Sequence, residues 1–258
     1  MVKSVRCGFI FTLVSVAVGV NSVFGQSLWE GDEVEEAFAS VEELDRWMMY
    51  YYLRPEPQRI PSAIQSMAKE GLLDKLSVHP MFIAFFGQVF RQNEDRLSSW
   101  AQALDSLSEG HKRLFWSALW FSNTKKGKAL LGEIPVGTYP NSKELVSKLL
   151  ADTAPDVLSM EVNSPQVLDT LWGTFFATGN ERCVQRIIPI LPWVQEKQNS
   201  GKQLVGSVAK WSLTSNAAGH DRVLEICKGE LDKQPKQVRA ILKQVIVQAQ
   251  QERKKKNG

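Results

Sequence analysis

Residues 176–183 read FATGNERC, and this stretch has the composition of a turn between two helices. Apolar residues precede Gly179 and Asn180, which are residue types that end one helix and cap the next. An acid, Arg182 and an apolar residue follow. The stretch therefore predicts a helical hairpin, in which a few residues join two helices.

The same order of residue types occurs at three other places. They read YLRPEPQRI (52–60), FRQNEDRL (90–97) and NAAGHDRV (216–223). The arginines of the four motifs are 37, 86 and 40 residues apart, and they are Arg59, Arg96, Arg182 and Arg222. The longest gap is about two periods, and a degenerate copy, FSNTKKGKA (121–129), lies inside it. A period near this length is typical of two-helix repeats.

Each motif places its arginine at the start of a predicted helix. A cation there opposes the positive end of the helix dipole and costs about a few tenths of a kcal/mol. We therefore predict a compensating partner, and our hypothesis is that each arginine bonds to carbonyls or a carboxylate of the preceding helix or repeat. Free exposure of Arg96 and Arg182 to water would contradict it.

Helical periodicity covers most of the chain after residue 32, and the alternation typical of strands is essentially absent. We predict twelve helices, at about 33–53, 58–70, 80–91, 95–107, 111–121, 124–131, 142–151, 164–177, 180–190, 200–215, 219–232 and 235–254. The segment 132–140, GEIPVGTYP, predicts a loop and a kink between two halves. The predicted fold class is all-α, a right-handed, solenoid-like stack of helical hairpins.

In architecture, this pattern resembles the class of two-helix repeats that includes the tetratricopeptide and HEAT units. The tetratricopeptide consensus of Trp, Leu-Gly, Tyr and Ala at fixed positions is not met, and the period here is longer and irregular. No functional residue of a named family is carried over. The resemblance implies an extended surface formed by successive hairpins.

The first 25 residues predict a signal peptide. Lys3 and Arg6 precede an uncharged apolar run, and the small residues Val23 and Gly25 predict cleavage before Gln26. An uncleaved membrane anchor is the alternative, since about 18 apolar residues can span a bilayer. We expect an exported protein, periplasmic or secreted, with no stable membrane insertion after cleavage.

Three parts are predicted to follow the leader. They are an acidic N-terminal segment (26–40), a helical-hairpin repeat domain (41–234) and a C-terminal capping helix with a basic tail (235–258). Loss of Lys3 and Arg6 lowers the net charge from +3 to +1. This balance gives no argument for a nucleic-acid partner, and terminal charge runs are typical of solvated tails.

Two cysteines, Cys183 and Cys227, remain after the leader is removed. Each lies among apolar residues on a predicted helix. A disulfide between them is one alternative in an oxidising compartment, and two buried free thiols are the other.

The chain contains no familiar catalytic motif. Its histidines, His79, His111 and His220, lack the spacing of a metal site or a catalytic triad. We therefore predict no catalytic residue, no metal site and no cofactor. The alternative is an envelope hydrolase that pairs a carboxylate with a histidine, Glu109 or Glu181 beside His111 or His220.

Aromatic residues are abundant for this length. Trp116 and Trp120 lie one helical turn apart, and residues 81–90 are apolar on nearly every side, which predicts buried helices. The residues predicted to be exposed aromatics on a concave binding surface are Trp47, Tyr50, Tyr51 and Tyr52, with core packing of at least one as the alternative.

These observations favour binding over catalysis. Stacked hairpins present a long surface, and the sequence contains no set of residues with the spacing of a known catalytic site. We expect an exported scaffold that holds a protein or peptide partner. A secreted effector, which would bind a foreign partner, is a second alternative, and the oligomeric state is open.

Overall fold

The structure, a computed structural model, describes residues 37–257. These residues form helices, turns and loops, and none of them is in a strand. The prediction of an all-α fold is confirmed. The predicted signal peptide and most of the acidic segment lie outside the described residues.

Twelve α-helices are present in the described part of the chain. The first six are α1 (Val41–Met49), α2 (Ile60–Lys69), α3 (His79–Gln92), α4 (Leu97–Ala103), α5 (Glu109–Ser122) and α6 (Lys125–Gly132). The others are α7 (Lys143–Ala151), α8 (Pro165–Thr178), α9 (Glu181–Ile187), α10 (Ser200–Gly219), α11 (Asp221–Glu230) and α12 (Lys236–Asn257). Each corresponds to a predicted helix.

The first helix begins eight residues later than predicted. Ser40 Oγ accepts a hydrogen bond from the Glu43 amide at 3.2 Å, and the Glu43 carboxylate accepts one from the Ala39 amide at 2.8 Å. This arrangement resembles a capping box, with the carboxylate bonded one residue before the Ser40 cap, and it satisfies backbone donors at the helix start. It fixes the boundary at Val41.

The segment after α9 is a 3-10 helix, Ile188–Gln195, where we predicted an α-helix only as far as residue 190. Pro189 and Pro192 lie within it. Proline has no amide hydrogen, so neither residue can donate the hydrogen bond of a regular α-helix.

The core is built around α3, which is flanked by α5 and α8. Phe86 contacts Phe115 with ring centroids 5.2 Å apart, and towards the helix ends Arg91 Nε donates to the Ser122 carbonyl at 2.7 Å. Later residues of α3 therefore contact later residues of α5, which shows that the two helices run in the same direction.

On the opposite face of α3 lies α8. A Cβ atom on Gly173 would be 2.2 Å from the Met81 carbonyl oxygen, so only glycine allows this approach. The four α-helices that lie between them in the sequence, α4 to α7, do not separate the pair in space. Packing here does not follow chain order, and the predicted consecutive stack is not confirmed.

The last helix, α12, lies beside α10 in the same direction. Lys210 Nζ donates to Gln244 Oε1 at 2.9 Å, and further along both helices Arg253 Nε donates to the Ala217 carbonyl at 3.0 Å. The buried side of α12 is apolar, and it comprises Val238, Ile241, Leu242, Val245, Ile246 and Ala249. Its other side is exposed and mostly polar, which is typical of a terminal helix.

The described residues belong to one compact unit. Residues 133–139, between α6 and the 3-10 turn Pro140–Ser142, form the predicted loop. Within residues 37–257, no helix is both long enough and apolar enough to cross a membrane.

Candidate functional site

Three consecutive tyrosines follow α1 and connect it to the turns after other helices. Tyr50 donates a hydrogen bond to the carbonyl of Gly219, the last residue of α10. Tyr52 lies against the turn after α8, where its ring would be 2.3 Å from a Cβ atom on Gly179. Gly179 has φ +66°, a conformation that favours glycine, so this turn is adapted to the tyrosine ring.

Tyr51 points to the turn after α3. Its ring contacts Phe85 at 5.4 Å, and its hydroxyl is near Asn93 and Arg96 but outside hydrogen-bond geometry. Burial raises the pKa of Tyr51 to about 12, and both neighbours oppose this shift. The motifs at 52–60, 90–97, 176–183 and 216–223 therefore meet at one end of the molecule.

The predicted aromatic binding surface is corrected by this arrangement. Trp47 and Tyr51 are buried, because Trp47 packs edge-on against Tyr51 and Phe85 at the centre of the core. Tyr50 and Tyr52 are half-buried and face other turns. These residues connect helices, and only edges of two of the rings reach the surface.

His220 is enclosed by aromatic rings. Tyr50 stacks on it at 4.5 Å, Tyr52 lies almost parallel at 5.7 Å, and Phe175 is 5.6 Å away. We call Tyr50, Tyr52, Phe175 and His220 the tyrosine–histidine cluster. It joins α1, α8 and the α10–α11 turn.

The imidazole of His220 is 1% exposed, and neither ring nitrogen has a hydrogen-bond partner within the described structure. Burial lowers the pKa of His220 to about 4, because a charged ring would lose its hydration. The Arg253 guanidinium acts in the same direction, while the Asp221 carboxylate and the Met49 backbone oppose it. His220 is therefore a neutral ring at physiological pH.

Two of the four motif arginines have the predicted kind of partner. Arg59 Nη2 donates to Glu43 Oε1 on the preceding helix at 2.8 Å, and its guanidinium lies 3.9 Å from the Phe38 ring centroid. Arg222 pairs with Glu181 of the preceding motif and with Glu225. These contacts agree with the hypothesis for both arginines.

The hypothesis is wrong for the other two. Arg96 and Arg182 are exposed, and neither side chain makes a hydrogen bond or ion pair to any described residue. The four arginines occupy the same position in the motif, but only two of them form the predicted stabilising contact.

Other arginines bind carbonyl groups at helix ends and in a loop. Arg186 on α9 donates to the carbonyls of Val157, Leu158 and Met160. Arg91 donates to the last carbonyls of α5, and Arg253 to Ala217 near the end of α10. Charge-assisted hydrogen bonds of this kind are stronger than neutral ones.

Cys183 and Cys227 are both buried free thiols, which was one of the two predicted alternatives. Burial raises the pKa of each thiol to about 12. Neither side chain is a nucleophile in this environment, because the thiolate is the reactive form.

A polar groove of about 360 Å³ lies on the side of the α8–α9 turn opposite to the tyrosine–histidine cluster. The ends of α3, α5 and α8 and the loop after α7 form it. We call it the polar groove, and it is lined by Gln88, Arg91, Asn123, Ala154, Pro155, Asp156, Val157, Leu158, Thr174, Thr178 and Asn180. Its volume is within the range of ligand pockets in general.

The charge distribution in the polar groove is mixed. Three helices end there, and each carbonyl end carries a partial negative charge, to which the Asp156 carboxylate adds. Arg91 supplies a cation, part of which binds the Ser122 carbonyl. The amides of Gln88 and Asn123 each offer both a donor and an acceptor group. The Asn180 oxygen already accepts from the Arg182 amide, so Asn180 offers mainly its NH₂ donors.

One buried polar side chain lines the groove without a partner of its own. Thr174 is 5% exposed, and its hydroxyl has no hydrogen-bond partner among the described residues, although Thr170 and Thr178 on the same helix bond the carbonyl four residues before. The neighbouring Gln88 side chain is also mostly buried. Buried polar groups are normally paired, so the Thr174 hydroxyl marks a place for water or a ligand.

The loop that forms one wall of the polar groove is held from two sides. Arg186 binds its carbonyls, and Trp120 Nε1 donates to the Asp152 carbonyl at 3.0 Å. Asp156 also accepts a hydrogen bond from the Leu158 amide at 3.1 Å. The wall is thus preorganised, which lowers the entropic cost of binding.

Our sequence interpretation missed Gln88, Arg91, Asp156 and Thr174. The turn motifs were a partial signal, because Asn123 and Asn180 lie in two of them. Spacing along the chain gave no indication that the α3, α5 and α8 ends meet.

The predicted carboxylate–histidine pairs do not form in the described structure. Glu109 accepts a hydrogen bond from Ser142 at 2.6 Å, and Glu181 pairs with Arg222. His111 instead lies 2.8 Å from Asp74. In residues 37–257, no group of three or more His, Cys, Asp or Glu side chains could hold a metal ion.

Comparisons with protein-family models, with curated proteins and with solved structures found no match for this chain.

Proposed function

We propose that this chain is an exported, non-catalytic helical-repeat scaffold that binds a protein or peptide partner, and that the polar groove receives an extended segment of that partner. The observation that carries the proposal is the buried and unpartnered hydroxyl of Thr174 in a groove whose lining includes three carboxamide side chains. A peptide backbone alternates N–H donors with C=O acceptors. Carboxamide side chains match both groups at once.

The surroundings of the groove support a polar ligand over an apolar one. An apolar ligand would displace water from the helix carbonyls, Asp156 and Arg91 without replacing their hydrogen bonds to water, which costs free energy. A peptide replaces these bonds. The held loop and the closely packed α3 and α8 keep the groove in shape before the partner arrives.

The repeat interpretation supports the same proposal. The turns after α1, α3, α8 and α10 meet at one end, and the α5 turn reaches the groove through Asn123. Hairpins that expose their turns on one side create a continuous surface for a partner. Export rests on the leader at residues 1–25, and the amino terminus of the protein recovered from a cell envelope fraction should be Gln26.

Selection of random peptides on the purified chain, followed by calorimetry, tests the proposal. Thr174→Val keeps the shape of the side chain and removes its hydroxyl, so it should weaken a selected peptide about tenfold, as expected for one lost hydrogen bond in a buried site. Stability should change by less than about 0.5 kcal/mol, because the hydroxyl has no partner to lose.

Thr170→Val is the matched control. Thr170 lies one turn earlier on α8, and its hydroxyl is already bonded to the Gln166 carbonyl. Peptide affinity should be unchanged in this variant. Failure to select any peptide, or equal affinities of the Thr174→Val variant and the original chain, would contradict the proposal.

An envelope hydrolase is the second candidate, and the Asp74–His111 contact favours it. A carboxylate that accepts a hydrogen bond from an imidazole can orient it as a general base. Hydrolysis of a panel of ester and glycoside substrates that is lost in His111→Gln would support this candidate. Activity retained in that variant, or absent from the original chain, would argue against it.

A further inference from the structure

The exposed side of α10 and α12 combines basic and apolar side chains. Residues 200–258 hold twelve Lys and Arg and five Asp and Glu, a net charge of +7. No acidic residue lies within α10, and only Glu252 lies within α12. The excess positive charge of the chain is therefore concentrated in these two helices and their connections.

Three of the five large apolar side chains that are exposed in the described chain lie on these two helices. Leu204, Trp211 and Val247 are 56%, 41% and 43% exposed, while Leu53 and Leu76, at 63% and 77%, lie outside α10 and α12. Leu204 and Trp211 are seven residues apart, so they lie on one side of α10. Exposed apolar groups that cluster indicate an interaction surface.

On α12, the exposed lysines share a side with Val247. Lys236, Lys243, Val247 and Lys254 follow one another at spacings of seven, four and seven residues, which places them along one stripe. The Lys210–Gln244 hydrogen bond joins α10 to α12 beside these residues, since Lys210 precedes Trp211 and Gln244 follows Lys243. We call the surface formed by these residues, with Leu204 and Trp211, the basic face.

We propose that the basic face binds the surface of an anionic phospholipid bilayer, with Trp211, Leu204 and Val247 at the headgroup level and the lysines against the phosphates. Lysine stems can lie along apolar surface while their ammonium groups reach the phosphates. Trp is enriched at membrane interfaces because its ring is amphipathic. Each lysine near an anionic bilayer contributes about 1 kcal/mol.

Charge and residue type together favour a bilayer over an acidic protein segment. A helical surface with lysines between exposed Leu, Val and Trp side chains has the composition of helices that lie in a membrane interface. An acidic peptide would use the lysines and leave these apolar groups in water. The proposal is independent of the polar groove, which lies at the ends of other helices.

Sedimentation with lipid vesicles tests the proposal, with the chain from Gln26 onward, which keeps every described residue. Vesicles of phosphatidylcholine with an equal amount of phosphatidylglycerol should bind it at low salt and release it at high salt, because mobile ions screen exposed charges. Vesicles of phosphatidylcholine alone should not bind it.

Substitutions test the lysines and the apolar side chains of the basic face separately. Lys243→Gln combined with Lys254→Gln should lower the partition coefficient about 30-fold, since two lysines contribute about 2 kcal/mol. Trp211→Ser should lower it about tenfold through lost apolar contact. Lys125→Gln combined with Lys126→Gln, an equal charge change at exposed positions of α6, is the matched control and should have less than about a twofold effect.

Thermal unfolding of the lysine variants should match that of the original chain, because the changed side chains are exposed. Trp211→Ser should remain folded at the temperature of the sedimentation experiment, which the same measurement checks. Equal binding to neutral vesicles, no binding to anionic vesicles at low salt, or an equal loss in the α6 control would overturn the proposal. Binding to polyglutamate without binding to vesicles would also overturn it and would identify an acidic polypeptide as the partner of the basic face.

Discussion

The α8–α9 turn has two unlike sides. On one side, Phe175 and Gly179 pack against Tyr52 and His220 in the closed tyrosine–histidine cluster. On the other, Thr174 and Thr178 line the open polar groove. Adjacent positions of a helix face different directions, so one turn of α8 supplies both surfaces.

The difference shows how a small domain divides stability from recognition. The closed side joins helices that are distant in sequence and tolerates little change, because its rings fill the space around a single glycine. The open side contains polar groups that packing leaves unpaired. Substitutions on the closed side should therefore affect folding, and those on the open side should affect ligand binding.

The largest effect is expected at Gly179. Gly179→Val would force a branched residue into a positive φ and into the Tyr52 ring, and we expect a loss of about 4 kcal/mol in unfolding free energy. Urea denaturation measures it. Gly219→Ala is the control, because a Cβ atom there meets nothing within 4 Å and its backbone carbonyl still accepts from Tyr50. A stable Gly179→Val variant would show that the cluster is loosely packed.

The next largest effect is the response of the closed side to acid. The pKa of His220 is about 4 when folded, below its ordinary value of 6.5, so the unfolded state binds a proton first as pH falls. The contribution of neutral His220 to the unfolding free energy is fully present above pH 6.5. It should decrease by about 3 kcal/mol as the pH falls to 4.

Urea unfolding at a series of pH values tests this response. His220→Phe should remove that part of the acid loss, because phenylalanine fills the aromatic site without titrating. His79→Gln, which changes a histidine outside the cluster, should retain it. If the original chain and His220→Phe lose stability in parallel between pH 6.5 and 4, His220 is not the group responsible.

A smaller effect should distinguish two arginines on α9. Arg186→Met removes the bonds to three carbonyls of the groove wall and should cost about 2 kcal/mol. Arg182→Met, the same change at an exposed motif position, should cost less than about 0.5 kcal/mol. Thermal unfolding of both variants measures the difference. Equal losses would restore the hypothesis that the motif arginines are structural.

The helices and their turns could be predicted from the sequence, because these features depend on residues close together in the chain. Apolar spacing located all twelve helices, and Gly179 and Asn180 marked a turn that the structure contains. The start of α1 at Val41 was missed. Helical periodicity in the sequence continues back through the acidic segment, whereas the Ser40 cap begins the helix at Val41.

The roles of individual turn residues could not be predicted. Arg59, Arg96, Arg182 and Arg222 share a local pattern, yet only Arg59 and Arg222 have carboxylate partners. Whether an arginine is paired depends on which helix lies opposite. The sequence motif contains no information about that neighbour.

The candidate groove depended most on tertiary structure. Asn123 and Asn180 were visible as turn residues, but Gln88 and Thr174 lie inside apolar helices, where nothing distinguishes them from other buried polar residues. They become candidate binding residues because α8 packs beside α3 and places the helix ends together.

By itself, the sequence determined an all-helical chain and the positions of its turns. These follow from local propensity and from the 3.6-residue period, which act over a few turns of helix. Only the tertiary structure decided that α8 lies beside α3, that three tyrosines connect four turns and that polar side chains meet in one groove. Such contacts depend on shape and close packing between segments far apart in the chain. The sequence around Gly173 does not indicate that a Cβ atom there would be 2.2 Å from the Met81 carbonyl oxygen.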